Sequence, residues 1–457
     1  MGLGLYNQAK PLLESAVTKR QALVPAEPAD LARSLSHTGD LLTVRAEYPP
    51  AAAAYTKAIA LQRLLPADQR DDAALANSLF GLGNEQKRAG QFADAERTLR
   101  EALALQQRLY KSADVDTART LTALAFAVNE RNLNEAIPLM QSAVAMHRQL
   151  WGAEPYPDYA DALQGLGMLL QDQADYDQAE KLLQESLAMY RRLLGDKHPD
   201  VAIALENLGL VQHRKGNLAE AESSYRQALA MERELLGEVH PEVANTLVNL
   251  AYVMYDTGDV ESALQVSGKS LDIYRKLFPG DNPEVARTMN RLGFWYTEKR
   301  DYATADRYLE EALSMRRRLF GKSHPDIASS LLHVGIFQVA THKYLDALLS
   351  SREAVEIYTA TSSASDWRTA LAESVNGAAL TGIRHYDDAE QHLKRGYAIL
   401  STDAGVDAMY RTLSRHYLEE LYRAWGRPQD AVRYATAIDS SARAQVVVPA
   451  AAGDVQR

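Results

Sequence analysis

A short tag recurs along this chain at a fixed interval of 42 residues, and no other feature constrains the fold so strongly. The tag is His or Asn, then Pro, an acidic residue, Val or Ile, and Ala, and it occupies residues 198–202, 240–244, 282–286 and 324–328. An Ala column keeps the same interval at Ala179, Ala221, Ala263, Ala305, Ala347 and Ala389. Repetition with a period of roughly 20 to 50 residues predicts an array of stacked units rather than one globular core.

Each unit has the pattern of two helices joined by a turn. In residues 198–236 the apolar residues have helical spacing on both sides of the turn at 215–217. We call the first helix of a unit helix A and the second helix B, and small residues at Gly209 and Ala221 predict that the two pack closely. A hairpin of this kind cannot bury its apolar stripe alone, so we expect each hairpin to contact its neighbours only. The predicted fold is all-α, a right-handed α-solenoid of stacked helix hairpins without β-sheet.

The same frame extends towards both ends of the chain. We expect ten hairpins over residues 28–445, beginning near residues 28, 72, 114, 156, 198, 240, 282, 324, 366 and 408. Residues 1–27 match a partial leading repeat with helix B only, and residues 446–457 have no helical pattern, which predicts a disordered tail. Helices should begin close to Pro199, Pro241, Pro283 and Pro325, because Pro suits the first turn of a helix and little else in it.

The repeat resembles the tetratricopeptide repeat in its Leu-Gly pair, its small residue at the start of helix B and its later Ala-Leu pair, as in Ala228-Leu229. The usual period of that repeat is about 34 residues. A period of 42 with Arg-x-Leu-(Leu/Phe)-Gly-x-x-His-Pro at the junction resembles the longer kinesin light chain subtype. The resemblance implies a protein–protein interaction scaffold that binds a peptide or protein segment in a concave groove.

Two alternatives remain open at this point. Arrays of the kinesin light chain subtype are common in bacterial regulatory proteins, including the C-terminal parts of some multidomain serine/threonine kinases. The resemblance of residues 421–428 to the closing hairpin of such arrays therefore favours, as an alternative, the sensory or regulatory region of a larger enzyme whose catalytic domain is absent from this chain. A structural spacer or self-association module is the other alternative, and the oligomeric state is left open.

Composition and missing motifs argue against several classes of function. The chain has no Cys, and it lacks the Gly-x-Ser-x-Gly, His-Glu-x-x-His, Walker and kinase motifs, so we expect neither an enzyme nor a cofactor. Its net charge of −10 is opposite to the basic footprint of a nucleic-acid-binding surface. No signal peptide and no run of 18 apolar residues is present, which predicts a cytoplasmic protein without a membrane partner.

The recurring His198, His240 and His324 suggest either a metal site or helix caps. Equivalent positions in stacked repeats lie on the order of 10 Å apart, whereas zinc ligands converge to about 2 Å from one ion. The same column holds good N-cap residues, namely Asp72, Asp114, Asn282 and Asp366. We therefore predict caps and no metal. The basic runs Arg191-Arg192 and Arg316-Arg317-Arg318 are interpreted as solvated helix ends.

Counting round helix A at about 100° per residue predicts which side chains face the concave side. The predicted peptide-binding residues are Asn207, His213, Asn245, Asn249, Tyr252, Tyr255, Arg287, Asn290, Arg291, Phe294, His333 and Ile336. Asn can hold an extended backbone, Arg pairs with carboxylates, and aromatic rings supply flat contact area. An acidic or amphipathic peptide is the expected partner. The competing interpretation is that Tyr252 and Phe294 fill the core between repeats.

Overall fold

A computed structural model describes residues 12–13, 15–20, 22, 28–362, 366–402, 406 and 408–435. These residues form helices and their connecting turns, and no strand occurs among them, so the all-α prediction is confirmed. The predicted tail and most of the predicted leading repeat lie outside the described residues. None of the helices described is both long and apolar enough to cross a lipid bilayer.

Chain contacts divide the protein into two compact units, Met1–Gly216 and Asn217–Arg457, which we call unit 1 and unit 2. The helices of unit 1 are α1 Pro28–Val44, α2 Tyr48–Leu64, α3 Asp72–Arg88, α4 Phe92–Leu109, α5 Val115–Asn129, α6 Leu133–Trp151, α7 Pro157–Asp172, α8 Tyr176–Leu194 and α9 Pro199–Lys215. Those of unit 2 are α10 Leu218–Leu236, α11 Pro241–Asp256, α12 Val260–Leu277, α13 Pro283–Glu298, α14 Tyr302–Phe320, α15 Pro325–Ala340, α16 Tyr344–Thr361, α17 Trp367–Gly382, α18 Tyr386–Leu400, α19 Ala408–Ala424 and α20 Pro428–Val432.

The recurring tag begins helix A, as predicted. The helices start at Pro199, Pro241, Pro283 and Pro325. The imidazole of each His in the tag accepts a hydrogen bond of 3.2 Å from the backbone N–H two residues on. The side chains of Asn282 and Asp366 accept from the same position, and that of Asp114 accepts from the N–H three residues on. The capping interpretation is therefore confirmed for these residues.

Asp72 is an exception, and its assignment as an N-cap was wrong. The side chain of Asp71 accepts from the backbone N–H of Ala74, and Asp72 is the first residue of α3. An Asp pair offers two candidate caps, and the one whose backbone remains extended takes the role.

Close contact of helices A and B depends on the glycine column. A Cβ atom added to Gly83 would lie 2.6 Å from Cγ of Leu99 in unit 1, and one added to Gly293 would lie 2.6 Å from Cγ of Leu309 in unit 2. Real Cβ atoms do not approach so closely, so these two hairpins require Gly where the Leu side chain crosses. The packing role predicted for such residues follows from this geometry.

Unit 2 also contains contacts between hairpins that are not neighbours. The hydroxyl of Tyr255 in α11 lies 3.4 Å from Sδ of Met409 at the start of α19. The ring of Tyr410 lies 6.4 Å from that of Phe294 in α13, and its hydroxyl lies 3.4 Å from Nε2 of His333 in α15. The expectation that each hairpin contacts only its neighbours is therefore wrong for the last hairpin, because its first turn lies against three earlier A helices.

Candidate binding clefts

Unit 2 contains a cleft of about 280 Å³ lined by residues of α11, of α13 to α17 and of the first turn of α19. Its cationic residues are Arg287, Arg291, Arg316 and Arg368, against the carboxylates Asp256 and Asp326, and we call it the basic cleft. The residues predicted for peptide binding that line it are Tyr252, Tyr255, Arg287, Asn290, Arg291, Phe294 and His333.

The remaining predicted residues lie elsewhere. Ile336 is fully buried, so it has no surface for a peptide, and its prediction as a contact residue was wrong because that side of α15 faces the core. Asn245 accepts a hydrogen bond from the hydroxyl of Tyr274. Asn249 is half-buried and does not line the cleft. Asn207 and His213 belong to α9 of unit 1.

Arg291 is a buried cation without a carboxylate partner among the described residues. It is 5% exposed, and its guanidinium lies 4.7 Å from the ring centre of Tyr252 and 5.5 Å from that of Trp295. One amino group donates to Oγ of Ser267 at 3.3 Å, while the buried Nε has no partner. Aromatic faces stabilise such a charge, but they do not neutralise it.

Arg316 is the second buried cation in the basic cleft, and its interpretation as part of a solvated helix end was wrong. It is 3% exposed and donates to the carbonyl of Asp326 at 2.7 Å and to Oγ of Ser330 at 2.9 Å. Burial lowers the pKa of its guanidinium. Because a helix turns by about 100° per residue, one of three consecutive arginines can face inwards while Arg317 and Arg318 form exposed ion pairs with Glu353 and Asp281.

The other two cations of this cleft already have carboxylate partners. Arg287 pairs with Glu284 at 2.8 Å, and Arg368 pairs with Asp366 at 2.8 Å. The two buried arginines, Arg291 and Arg316, form no ion pair with a carboxylate among the described residues, and a buried charge without a direct anionic partner is costly.

Aromatic rings complete the basic cleft. Phe294 stacks on the imidazole of His333 at 4.8 Å, and Trp367 stacks on Tyr410 at 5.7 Å. Phe294 is 3% exposed and belongs mainly to the core, whereas Tyr252 remains 39% exposed. Nδ1 of His333 lies 2.8 Å from the side-chain amide nitrogen of Asn290, and burial lowers the pKa of His333 to about 3. The histidine is therefore neutral and accepts this hydrogen bond.

Unit 1 contains a larger cleft, of about 710 Å³, that was not predicted from the sequence. Its carboxylates are Asp40, Glu85, Asp116, Asp158 and Asp161, against the cations Lys87, Arg88 and Arg119, and we call it the acidic cleft. Asp116 and Asp158 share the acidic column of the tag, 42 residues apart, but Asp40, Glu85 and Asp161 lie at other positions of their A helices, so no single repeated column signals the cleft.

Tyr55 links the two sides of the acidic cleft. Its ring lies between Gly39 of α1 and Gly81 of α3, where added Cβ atoms would be 2.6 and 2.4 Å from it. Its hydroxyl donates to Asp40 at 2.8 Å. A side chain from helix B thus reaches between two A helices because both present glycine there.

Two buried polar side chains of the acidic cleft lack partners among the described residues. Oε1 of Glu85 accepts from the hydroxyl of Thr43 at 2.7 Å, but Oε2 accepts no hydrogen bond, and the residue is 3% exposed. Gln106 is 1% exposed, and neither polar atom of its side chain has a partner. Buried polar groups are normally paired, so such atoms point to a missing ligand or water.

Comparisons with known proteins agree with this architecture. Two family models, both described as tetratricopeptide repeat, match the chain. One matches residues 80–155 and the other residues 158–234, 213–276, 242–317 and 284–360. No curated protein matches the chain.

Several solved structures are similar to parts of the chain. BtubC (BKLC) from P. vanneervenii is 23% identical over 50% of this chain and 90% of its own, with a TM-score of 0.43. A Podosopora anserina putative kinesin light chain with nearly identical TPR-like repeats is 21% identical over 45% of this chain and 98% of its own, with a TM-score of 0.41. The apo form of RapI is 16% identical over 62% and 97%, with a TM-score of 0.48. Because models of one family match more than half of its length, the chain belongs to the tetratricopeptide repeat family.

Proposed function

We propose that the basic cleft of unit 2 binds an extended acidic or amphipathic segment of a partner protein. Tetratricopeptide repeats generally mediate protein–protein interaction, and their A helices form concave binding surfaces. The observation that supports this partner is the pair of buried cations, Arg291 and Arg316, which have no carboxylate within ion-pair distance among the described residues. A carboxylate of the partner would supply a negative charge for these two arginines.

The surroundings of Arg291 favour a side chain with apolar as well as acidic character. Its guanidinium lies against Tyr252 and Trp295, and Tyr252 is exposed enough to contact a ligand. Tyr and Arg are enriched at protein interfaces because they combine a large contact area with a polar group. An acidic residue next to an apolar one would use both surfaces.

Fluorescence anisotropy with a labelled peptide of alternating Glu and Ala residues tests this proposal. We expect Arg291→Gln to weaken binding by about tenfold or more, since a hydrogen bond to a charged group contributes roughly 1.5–3 kcal/mol. Tyr252→Ala, at a partly exposed position, should weaken binding in the same direction without affecting the fold.

The matched control is Arg317→Gln, which removes the same charge from an exposed arginine next to the cleft arginine Arg316. Its binding should stay within about twofold of the native protein, because exposed pairs contribute little. Circular dichroism should show native helix content for all three variants. Equal weakening by the Arg291 and Arg317 variants, or none by either cleft variant, would place the ligand outside the basic cleft.

A further inference from the structure

We infer that the acidic cleft of unit 1 is a second binding site, which takes a Lys or Arg side chain of a partner segment. Its carboxylates outnumber its cations by five to three. The site is separate from the basic cleft and has the opposite charge, so it would bind a different class of segment.

The floor of the cleft provides the acceptor. Glu85 is almost fully buried, and Thr43 holds one of its carboxylate oxygens, so the other oxygen is fixed in place without a donor among the described residues. Asp40 lies beyond Thr43 and Tyr55 in the same hydrogen-bonded chain. An ammonium or guanidinium group carries several N–H donors and no acceptor, so it suits an acceptor-only site.

Gln106 adds a second unsatisfied group to the same floor. Its side-chain amide lines the acidic cleft with neither atom bonded among the described residues. The amide oxygen can accept from a cationic group that already contacts Glu85, while the amide nitrogen can donate to a backbone carbonyl of the bound segment. A partner peptide with a basic side chain offers both groups, whereas an inorganic cation offers no acceptor for the amide nitrogen.

The cations of the acidic cleft do not neutralise the carboxylate of Glu85. Arg119 lies 3.5 Å from Asp158 and 3.8 Å from Asp116, so it already has acidic partners. The ammonium of Lys87 lies 5.3 Å from the ring centre of Phe126, and burial lowers its pKa. The guanidinium of Arg88 lies 5.1 Å from the ring centre of Tyr48, and none of the three cations has an ion pair with Glu85 among the described residues.

The test uses a fluorescein-labelled peptide of alternating Lys and Ala residues and the full chain. We expect Glu85→Gln to weaken binding by about tenfold or more, because Gln keeps the acceptor for Thr43 but removes the charge. Asp40→Asn, at an exposed position, is a second variant that should weaken binding even if the first folds poorly.

Glu101→Gln is the matched control, since Glu101 is a half-exposed residue of unit 1 that pairs with Arg63 away from the cleft. It should leave binding within about twofold of native, because a half-exposed ion pair contributes little. If all three variants weaken the Lys peptide equally, the attraction is due to overall charge and the inference fails. It fails also if neither cleft variant weakens binding. The peptide of Glu and Ala should be unaffected by Glu85→Gln, so this result is independent of the basic cleft.

Discussion

Tyr190 in unit 1 and Tyr274 in unit 2 occupy the same position of helix B, two repeats apart, but their hydroxyl groups meet different partners on helix A. Tyr190 donates to Asp161, whereas Tyr274 donates to Asn245. The same geometry thus holds a carboxylate in the acidic cleft and an amide in unit 2. The tyrosine of helix B is the same in both units, while the charge at the helix A position that binds this tyrosine differs between them.

The largest expected difference between the two units comes from a substitution at the floor of the acidic cleft. Gly81→Ala would place a Cβ 2.4 Å from the buried ring of Tyr55. We expect it to lower the free energy of unfolding by about 1–3 kcal/mol, as overpacking usually does. Binding of the Lys peptide should fall, because the bond of Tyr55 to Asp40 is displaced, while binding of the Glu peptide in unit 2 is retained.

The matched control for this change is Gly268→Ala in α12, where an added Cβ meets no atom within 4 Å. Ala is a better helix former than Gly by up to about 1 kcal/mol, so this variant should be more stable than the native protein. Urea unfolding gives the free energies, and hydrogen exchange assigns them to each unit. Equal stability of the two variants would show that Tyr55 can move aside.

A second prediction concerns how the stability of unit 2 depends on pH. Burial, with help from the nearby Arg316, lowers the pKa of His333 to about 3. Below about pH 6.5 the unfolded chain takes up a proton at this residue, whereas the folded chain does not. The stability that His333 contributes is therefore present above about pH 6.5 and is lost as pH falls, by up to about 1.4 kcal/mol per pH unit.

Replacing the imidazole tests this dependence. His333→Gln keeps an acceptor for Asn290 but cannot titrate, so its unfolding free energy should fall less steeply between about pH 7 and about pH 5. Thermal or urea unfolding at several pH values measures the two slopes. Parallel curves for native and variant protein would mean that the folded His333 takes up a proton as readily as the unfolded one.

The smallest predicted effect is on the repeat position that differs between the units. Asp161→Asn gives unit 1 the residue type of unit 2 and should weaken the Lys peptide by about twofold to threefold, as removal of one partly screened charge does. Burial raises the pKa of Asp161, so this carboxyl takes up a proton at a higher pH than an ordinary Asp. As the solution is acidified, the difference between native and variant affinities should therefore begin to shrink at a higher pH than an ordinary Asp would give.

Asn245→Asp in unit 2 is the control, and it should not change the affinity for the Lys peptide. Anisotropy titrations of the native protein and both variants over a range of pH give the comparison. A difference that shrinks only over the pH range in which an ordinary Asp titrates, centred near about 3.9, would contradict the raised pKa of Asp161.

Sequence reasoning succeeded where one physical requirement recurs in every repeat. Pro at the first helical position and a capping side chain before it predict helix starts, because few other places tolerate them. Seven predicted residues do line the basic cleft, because the helical period determines which face a side chain occupies. Ile336 shows the limit of this approach, since counting round one helix does not tell which of its sides faces the core.

The residues that were missed depend on contacts between helices, which the apolar spacing within one helix does not reveal. Arg316 faces inwards because Ser330 and the carbonyl of Asp326 accept from it, and its neighbours in the sequence do not reveal this. Tyr55 crosses into the acidic cleft because Gly39 and Gly81 happen to face each other across its ring. Neither contact follows from the apolar period of a single helix.

The first turn of α19 has a consequence for how unit 2 folds. Met409 meets Tyr255 across 154 residues of chain, whereas most helices in the described part contact the next one or two. Closing so long a loop costs more entropy than pairing adjacent hairpins, and contacts of high sequence separation slow folding. We therefore expect the hairpins of unit 2 to form from local pairs first and α19 to dock last. The rate-limiting step of refolding would then be the arrival of Met409 and Tyr410 on a surface that is already assembled.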